Sequence, residues 1–341
     1  MSATPPQPQP SDLSVHIPIL VEPIVESLFY EIEKRLNPAP SEKSFIIDCT
    51  FGGGGHSGAF LQRIEASADL RSRLAIIGVD QDESALIRAK KNWAPAIERG
   101  QLELFHGRFS EIKELVQSRH CIGLLADFGF SSDQIEDPER GLSFRADGPL
   151  DMRLDPSRGE GARSWLLRAR EQDIEAVLRE YGEERFSKKI AAAIVELRRG
   201  KGIPQSAKEF ASFITSLMPP STRYGRIHPA TRVFQALRIQ VNDELGEVER
   251  LLKDILPHLQ LGARIALISF HSLEDRLVKW FFKENSHTFA VLTKKPIEAD
   301  DEETARNPRS RSAKLRLAER TEPLRSEEEK GRKKWQSRLS P

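Results

Sequence analysis

Residues 46–58 read Ile-Ile-Asp-Cys-Thr-Phe-Gly-Gly-Gly-Gly-His-Ser-Gly, and this stretch decides the fold of the amino-terminal half. An apolar run ends at Asp48, four consecutive glycines occupy 52–55, and a helical pattern begins at Ser57. The pattern predicts a strand, a glycine turn and the start of a helix. Glycine permits positive φ angles and close approach to a ligand, and a helix N-terminus offers unpaired N–H groups. Such a turn suits a nucleotide-like cofactor.

The glycine turn matches two cofactor-binding patterns. Residues 53–58 fit G-x-G-x-x-G, the dinucleotide fingerprint, whereas residues 48–54 fit D-x-x-x-G-x-G, the pattern of S-adenosylmethionine (SAM) methyltransferases. Both classes require an acidic residue at the end of the next strand, where it holds the ribose hydroxyls. Asp80, which ends the apolar run 74–80, meets that requirement. The choice between NAD and SAM therefore depends on the rest of the chain.

Strand and helix patterns alternate over the first 130 residues. Apolar strand-like runs occur at 45–49, 74–79, 102–106 and 122–127, with helical patterns at 57–66, 83–92 and 110–117. The alternation predicts a parallel, doubly wound α/β sheet. Ligands of such sheets bind at the carboxyl ends of the strands, which are here Thr50, Asp80, His106 and Asp127.

The alternation stops near Ser131. Residues 131–162 predict loops, residues 163–218 predict helices, and a long helix is predicted from about 230 to 256. Strand patterns return at 263–270, 289–293 and 314–318. We therefore predict a core at 15–135 and 240–320, an inserted, mainly helical domain at 136–239, and tails at 1–14 and 321–341.

The composition indicates a globular protein without a membrane span. The 341 residues are 38% hydrophobic and 30% charged, and no apolar stretch approaches the roughly 18–20 residues of a spanning helix. The proline-rich start of the chain lacks the features of a signal peptide. Cys49 and Cys121 lie in apolar runs without metal-ligand spacing, which predicts buried free thiols, no metal site and a cytoplasmic location.

The segment Asp127-Phe-Gly-Phe-Ser-Ser132 carries side chains suited to amine methylation. An exocyclic base amine is a poor nucleophile because its lone pair is delocalised into the ring. A hydrogen-bond acceptor for its N–H helps to localise that pair, and an aromatic face can stack on the base. Asp127 and Phe130 are thus the candidate catalytic residues, with an N-cap aspartate and a packing phenylalanine as structural alternatives. A carboxylate of ordinary pKa is a weak base, so we expect Asp127 to orient and stabilise the amine while water takes the proton.

Three polar segments are candidates for RNA contact. Residues 140–155 mix arginines with aspartates, residues 222–232 combine basic residues with Tyr224, and residues 306–317 place arginines before an alternating apolar run. Basic and aromatic side chains together suit RNA phosphates and bases. Solvated loops and exposed turns are the structural alternatives. His271, after the fifth strand, either contacts substrate or caps the helix that begins near Leu273.

Eight segments together resemble one family. They are residues 16–20, 48–57, 127–134, 140–155, 181–184, 231–245, 268–276 and 307–316. They are similar to the bacterial small-subunit rRNA methyltransferase H (MraW-like) family, which N4-methylates a cytidine of 16S rRNA. The similarity extends over about residues 15–320 in the family's order. Gly53, Phe128 and Phe130 depart from the residue types usual in the family.

The resemblance implies a Rossmann-like class I SAM-dependent methyltransferase with an inserted helical substrate-recognition domain. It implies N4-methylation of a specific cytidine in the decoding region of 16S rRNA, with the 30S subunit as partner. The family's SAM contacts fall on Gly54, Gly55, His56, Asp80, Phe109, Asp127 and Gln134. We expect RNA contacts from Arg140, Arg153, Arg223, Arg232, His271, Arg309 and Arg311.

Two other functions stay open on the sequence alone. An NAD-dependent oxidoreductase would leave the Asp127 segment and the basic insert without a role. A non-catalytic RNA-binding assembly factor would not need Asp48, Asp80 and Asp127 intact. The sequence does not fix the oligomeric state, and a homodimer is compatible with it.

Overall fold

A computed structural model of the chain describes residues 17–39, 41–129, 134–135, 137–144, 147–220 and 228–321. The strands are β1 (Ser44–Asp48), β2 (Leu74–Asp80), β3 (Leu102–His106), β4 (His120–Asp127), β5 (Arg264–Ser269), β6 (Phe289–Val291) and β7 (Lys314–Arg320). The described α-helices are α1 (Val21–Phe29), α2 (Gly55–Glu65), α3 (Ala68–Arg73), α4 (Glu83–Asn92), α5 (Ala94–Glu98), α6 (Lys113–Gln117), α7 (Ala162–Arg168), α8 (Glu171–Glu180), α9 (Ser187–Arg199), α10 (Ala207–Leu217), α11 (Thr231–Asn242), α12 (Glu244–Arg250), α13 (Ser272–Glu284) and α14 (Asp301–Arg306).

The seven strands form one sheet in the order β3-β2-β1-β4-β5-β7-β6. Strands β1 to β5 pair in parallel, and β7 is antiparallel to both β5 and β6. The sequence-predicted parallel sheet is therefore confirmed, with β7 and β6 added as an antiparallel edge. The order reverses at β1 and β4, and ligands of open α/β sheets bind beside the carboxyl ends of strands at such a point.

Burial explains why these runs are strands. Every residue of β1 is buried, as are all residues of β2 except Asp80. Parallel strands covered on both faces are expected to be continuously apolar instead of alternating. The polar residues Asp48, Asp80 and Asp127 then stand out because each is the last residue of its strand.

The chain divides into two compact units. The sheet unit comprises Pro18–Asp80, Trp93–Phe128 and the described residues from Val248 to Thr321. The helical unit comprises Gln81–Asn92 and the described residues of 129–247, so it includes α4. A continuous apolar core fills the helical unit, and its largest members include Phe210 and Phe234.

The predicted single helix from 230 to 256 is wrong. Asp243 adopts a left-handed conformation with φ of 51°, which ends α11 at Asn242 and lets α12 begin at Glu244. A π-helical turn, Leu251–Ile255, and a 3₁₀ turn, Leu256–His258, follow. The apolar periodicity continues through these breaks, so the sequence pattern alone does not reveal them.

Two smaller expectations concern the thiols and the membrane. Cys49 and Cys121 are buried free cysteines, as predicted. Within the described ranges, no helix combines the length and the apolar character that a membrane crossing requires.

Candidate active site

The glycine loop joins β1 to α2 through a buried aspartate. Asp48 is 1% exposed, and its Oδ2 accepts a hydrogen bond of 2.7 Å from the hydroxyl of Ser57. Gly52 and Gly54 have φ angles of 52° and 78°, and the N–H of Gly54 donates to the carbonyl of Phe51 at 2.7 Å. Burial raises the pKa of Asp48 to about 6 against the opposing hydrogen bond from Ser57. Asp48 therefore holds the two ends of the loop together.

Trp93 packs against the glycine loop, a contact that the sequence did not predict. Its Nε1 donates to the carbonyl of Gly53 at 3.3 Å. A Cβ atom on Gly54 would lie 2.6 Å from that nitrogen, and one on Gly58 would lie 2.7 Å from the indole Cη2. Gly54 and Gly58 thus leave the space that the indole fills, and Gly54 also has the positive φ of the turn. No sequence signal links Trp93 to a loop some 40 residues earlier.

Asp80, the last residue of β2, lies at the glycine loop. Its Oδ2 accepts a hydrogen bond of 2.7 Å from the backbone N–H of Gly52. The residue is only partly buried. A carboxylate at this position fixes the loop and is accessible to a ligand.

The first turn of α2 presents main-chain groups, while its histidine side chain points into the protein. His56 is 5% exposed, and its Nε2 lies 2.8 Å from the carbonyl oxygen of Ile19. Burial lowers the pKa of His56, so the ring is neutral and donates to that carbonyl. Gly54, the N-cap residue, supplies no side-chain cap to α2. A cofactor contact from 54–56 would therefore use backbone N–H groups.

Asp127 ends β4 with a buried, unsatisfied oxygen. Its backbone N–H donates to the hydroxyl of Thr50 at 2.8 Å, whereas its Oδ1 has no hydrogen-bond partner among the described residues. Burial, together with the charges of Asp48 and Glu274, raises the pKa of Asp127 to about 8. The sequence-based expectation of an ordinary pKa is wrong, because that expectation took no account of desolvation. A buried polar atom left unpaired is costly and often marks a functional position.

Two aromatic residues lie near the carboxyl end of the sheet unit's strands. Phe109 begins a 3₁₀ turn after β3, and its ring centroid lies 6.0 Å from that of Phe128. Phe128 is 2% exposed, so it belongs to the core. Phe109 is only partly buried and is the member of the pair that a ligand could reach. Phe130 lies outside the described residues.

His271 is the N-cap residue of α13. Its side chain accepts from the N–H of Glu274, and the Glu274 side chain accepts in return from the N–H of His271. Of the two roles left open by the sequence, capping is therefore observed. Substrate contact by His271 remains a prediction.

In the helical unit, the side chains of the predicted site residues differ in their burial and in their hydrogen-bond partners. Gln134 is 8% exposed and donates from Nε2 to Asp82 Oδ2 at 3.3 Å. Arg140 is 10% exposed in its side chain, with Nη2 2.7 Å from the same oxygen. Arg153 is paired with Asp151 at 2.8 Å. A phosphate would have to displace these carboxylates from either arginine.

The remaining basic candidates are more open. Arg232 is exposed and donates a hydrogen bond to the carbonyl of Glu183 at 3.0 Å. Arg309 and Arg311 lie on the 3₁₀ turn Pro308–Ser312 in the sheet unit, and Arg311 is exposed. Arg223 lies outside the described residues. Accessibility therefore favours Arg232 and Arg311 over Arg140 as phosphate contacts.

Comparison with known proteins identifies the family. The sequence profile of the MraW methylase family matches residues 13–321. The chain belongs to the MraW methylase family. Similar solved structures include an rRNA methylase from Streptococcus thermophilus, at 9% identity over 86% of this chain and 97% of that chain, with a TM-score of 0.34. Another is a methyltransferase from Streptococcus mutans in complex with SAH, at 12% identity over 86% of this chain and 97% of that chain, with a TM-score of 0.34. These likenesses are distant, so the assignment rests on the family match and on the sheet order.

Membership of the MraW methylase family decides between the two cofactors left open by the glycine turn. The protein is a class I methyltransferase and its cofactor is SAM, as predicted. The NAD-dependent oxidoreductase is thereby set aside. The D-x-x-x-G-x-G pattern at 48–54 was the informative one, and the G-x-G-x-x-G pattern at 53–58 was coincidental.

Proposed function

We propose that this MraW-family methyltransferase transfers a methyl group from SAM to the N4 amine of a cytidine in 16S rRNA, within the decoding region of the 30S subunit. The family match and the segments resembling the N4-methylating rRNA enzymes support the substrate. The observation that carries the proposal is the buried Oδ1 of Asp127 at the end of β4, which has no hydrogen-bond partner in the described part of the chain. An oxygen of this kind is suited to accept a hydrogen bond from an exocyclic amine that enters the site.

The residues of the sheet unit fit the cofactor. Gly54, the N-cap residue of α2, has no side chain with which to cap the helix, so the N–H groups of Gly55 and His56 would bind the cofactor, and Asp80 would accept from its ribose hydroxyls. Phe109 would contact it with a partly exposed ring. Gln134 is proposed as a further contact from the family resemblance. SAM supplies an electrophilic methyl group on a cationic sulfur.

Asp127 would act on the amine in two ways. In its ionised form, Asp127 accepts the N4–H hydrogen bond, which orients the amine and localises its lone pair. Its pKa of about 8 also makes it a better proton acceptor than an ordinary carboxylate, so Asp127 can take the proton that the amine loses on methylation. This revises the sequence-based expectation that water takes the proton.

We assign RNA contacts to basic residues according to the exposure of their side chains. Arg232 and Arg311 present accessible guanidinium groups, which suit contacts to RNA phosphates. Such contacts position an RNA without selecting its sequence. Selection of one cytidine would then depend on the folded rRNA around it.

The test is transfer of labelled methyl from SAM to purified 30S subunits, with 50S subunits as the control. We expect label in 16S rRNA and none in 50S RNA. The Asp127→Asn variant should lower the single-turnover rate by roughly 10²-fold or more while still binding SAM. A parental protein that binds SAM and 30S subunits but transfers no methyl group would refute catalysis and favour the assembly factor.

A further inference from the structure

Asp82 is a buried carboxylate that the family resemblance does not assign. It lies two residues after Asp80, just before α4, and is 4% exposed. Buried carboxylates are costly unless their oxygens are satisfied. The hydrogen-bond partners of Asp82 therefore indicate its role.

The two oxygens of Asp82 have separate partners. Oδ1 accepts from the backbone N–H of Ser84 at 3.0 Å and from its hydroxyl at 2.7 Å, which fixes the carboxylate to the start of α4. Oδ2 accepts from Arg140 Nη2 at 2.7 Å and from Gln134 Nε2 at 3.3 Å. One oxygen thus holds the carboxylate in place, and the other holds two side chains that lie more than 50 residues later in the chain.

The charge of Asp82 is maintained despite its burial. Burial alone would raise the pKa of Asp82, but the hydrogen bonds from Ser84 and the charge of Arg140 outweigh it and lower the pKa. The carboxylate is therefore ionised at neutral pH. An ionised acceptor makes the hydrogen bond from Gln134 stronger than one between neutral groups.

Arg140 extends the same network into the polar loop 140–155. Its Nη1 donates to the carbonyl of Leu154 at 2.7 Å, and the N–H of Leu154 donates to Oδ1 of buried Asn242 at 2.8 Å. Arg140 and Leu154, near the two ends of this segment, are consequently fixed by inward-facing polar groups. Leu150, Met152 and Leu154 are also buried, which excludes a solvated loop over this stretch.

We infer that Asp82 is a positioning residue for SAM binding. It holds the amide of Gln134 in the orientation in which Gln134 contacts the cofactor, while Arg140 ties the same carboxylate to the loop. The inference rests on the proposed function, because it takes Gln134 to be a cofactor contact. Asp82 itself touches neither cofactor nor substrate in this scheme.

The first test compares SAM binding by the parent, Asp82→Asn and Asp173→Asn, measured by calorimetry. Asp173 is a matched control because it is also an aspartate of the helical unit paired with an arginine, but at an exposed position. Asp82→Asn should weaken SAM binding by about tenfold and raise KM for SAM, while kcat at saturating SAM stays within about threefold. Asp173→Asn should bind SAM as the parent does. Unchanged affinity in folded Asp82→Asn would overturn the inference.

The second test exchanges donor and acceptor. Gln134→Glu places a second carboxylate against Asp82 and should weaken SAM binding, whereas adding Asp82→Asn restores a donor–acceptor pair and should recover part of the affinity. A role confined to stability would give no such recovery, and its absence would contradict the inference. If Asp82→Asn alone does not fold, the SAM affinities of Gln134→Glu and of the double variant still test whether Asp82 positions Gln134. A parental protein that fails to bind SAM would refute the proposed function instead.

Discussion

Replacing Asp127 with asparagine should make the protein more stable, and more so as the pH rises. The folded pKa of Asp127 is about 8, against an ordinary value of 3.8, because the carboxyl group is buried beside other acids. Between these two values the folded state holds a proton that the unfolded chain has released. The free energy of unfolding therefore falls as the pH rises through this window. Asparagine keeps the shape of the side chain but does not titrate, so this loss disappears.

The size of the effect follows from the linkage relation. One proton difference changes the free energy of unfolding by about 1.4 kcal/mol per pH unit. Between pH 5.5 and 7.5, the advantage of Asp127→Asn over the parent should grow by up to about 2.7 kcal/mol, measured by urea unfolding at both pH values. Asp173→Asn is the control, since a hydrogen bond from Arg170 lowers the pKa of Asp173 and places its titration below both conditions. If Asp127→Asn were more stable than the parent by the same free energy at both pH values, Asp127 would not be a buried, protonated carboxyl group.

The remaining predictions concern catalysis, the glycine loop and RNA. The single-turnover methylation rate of the parent should rise with pH and level off above the pKa of Asp127, about 8, because the ionised carboxylate is the active form. A low but equally pH-dependent rate in Asp127→Asn would assign the titration to another group. Gly54→Ala should lower the free energy of unfolding by about 1–3 kcal/mol more than Gly52→Ala does, measured by thermal or urea unfolding. Both residues have positive φ, but only Gly54 abuts Trp93. Equal losses of stability would contradict the packing argument. Arg311→Gln should reduce the log–log slope of RNA binding against salt concentration by about 0.7–0.9, because Arg311 is exposed. Arg140→Gln should leave that slope unchanged and lower the stability of the protein, because Arg140 is paired with Asp82. The reverse pattern would show that exposure does not predict phosphate contact.

Much of the sheet could be predicted from the sequence because its signals are local. Continuous apolar runs that end in an acid mark the buried parallel strands, and the glycine turn marks the first crossover. Residues 110–117 show the limit of such signals, because the helix predicted there matches the structure only in part. A 3₁₀ turn, Phe109–Glu111, and a short helix, Lys113–Gln117, replace the single predicted helix.

The features that the sequence could not supply are those that depend on distant contacts. The indole of Trp93 reaches the glycine loop only through the fold, and the raised pKa of Asp127 depends on burial beside Asp48 and Glu274. The αL conformation of Asp243 likewise leaves the apolar periodicity around it intact. Spacing patterns contain no information about desolvation or about packing between residues far apart in the chain.

The chemical identity of the methylated nucleoside tests the central claim most directly. Purified 30S subunits would be incubated with the protein and labelled SAM, and 16S rRNA would be digested to nucleosides and resolved by chromatography and mass spectrometry. We predict that the label co-migrates with N4-methylcytidine, comes from a single site in the decoding region, and is greatly reduced with Asp127→Asn. Label in C5-methylcytidine or in another nucleoside, or full labelling by Asp127→Asn, would contradict it.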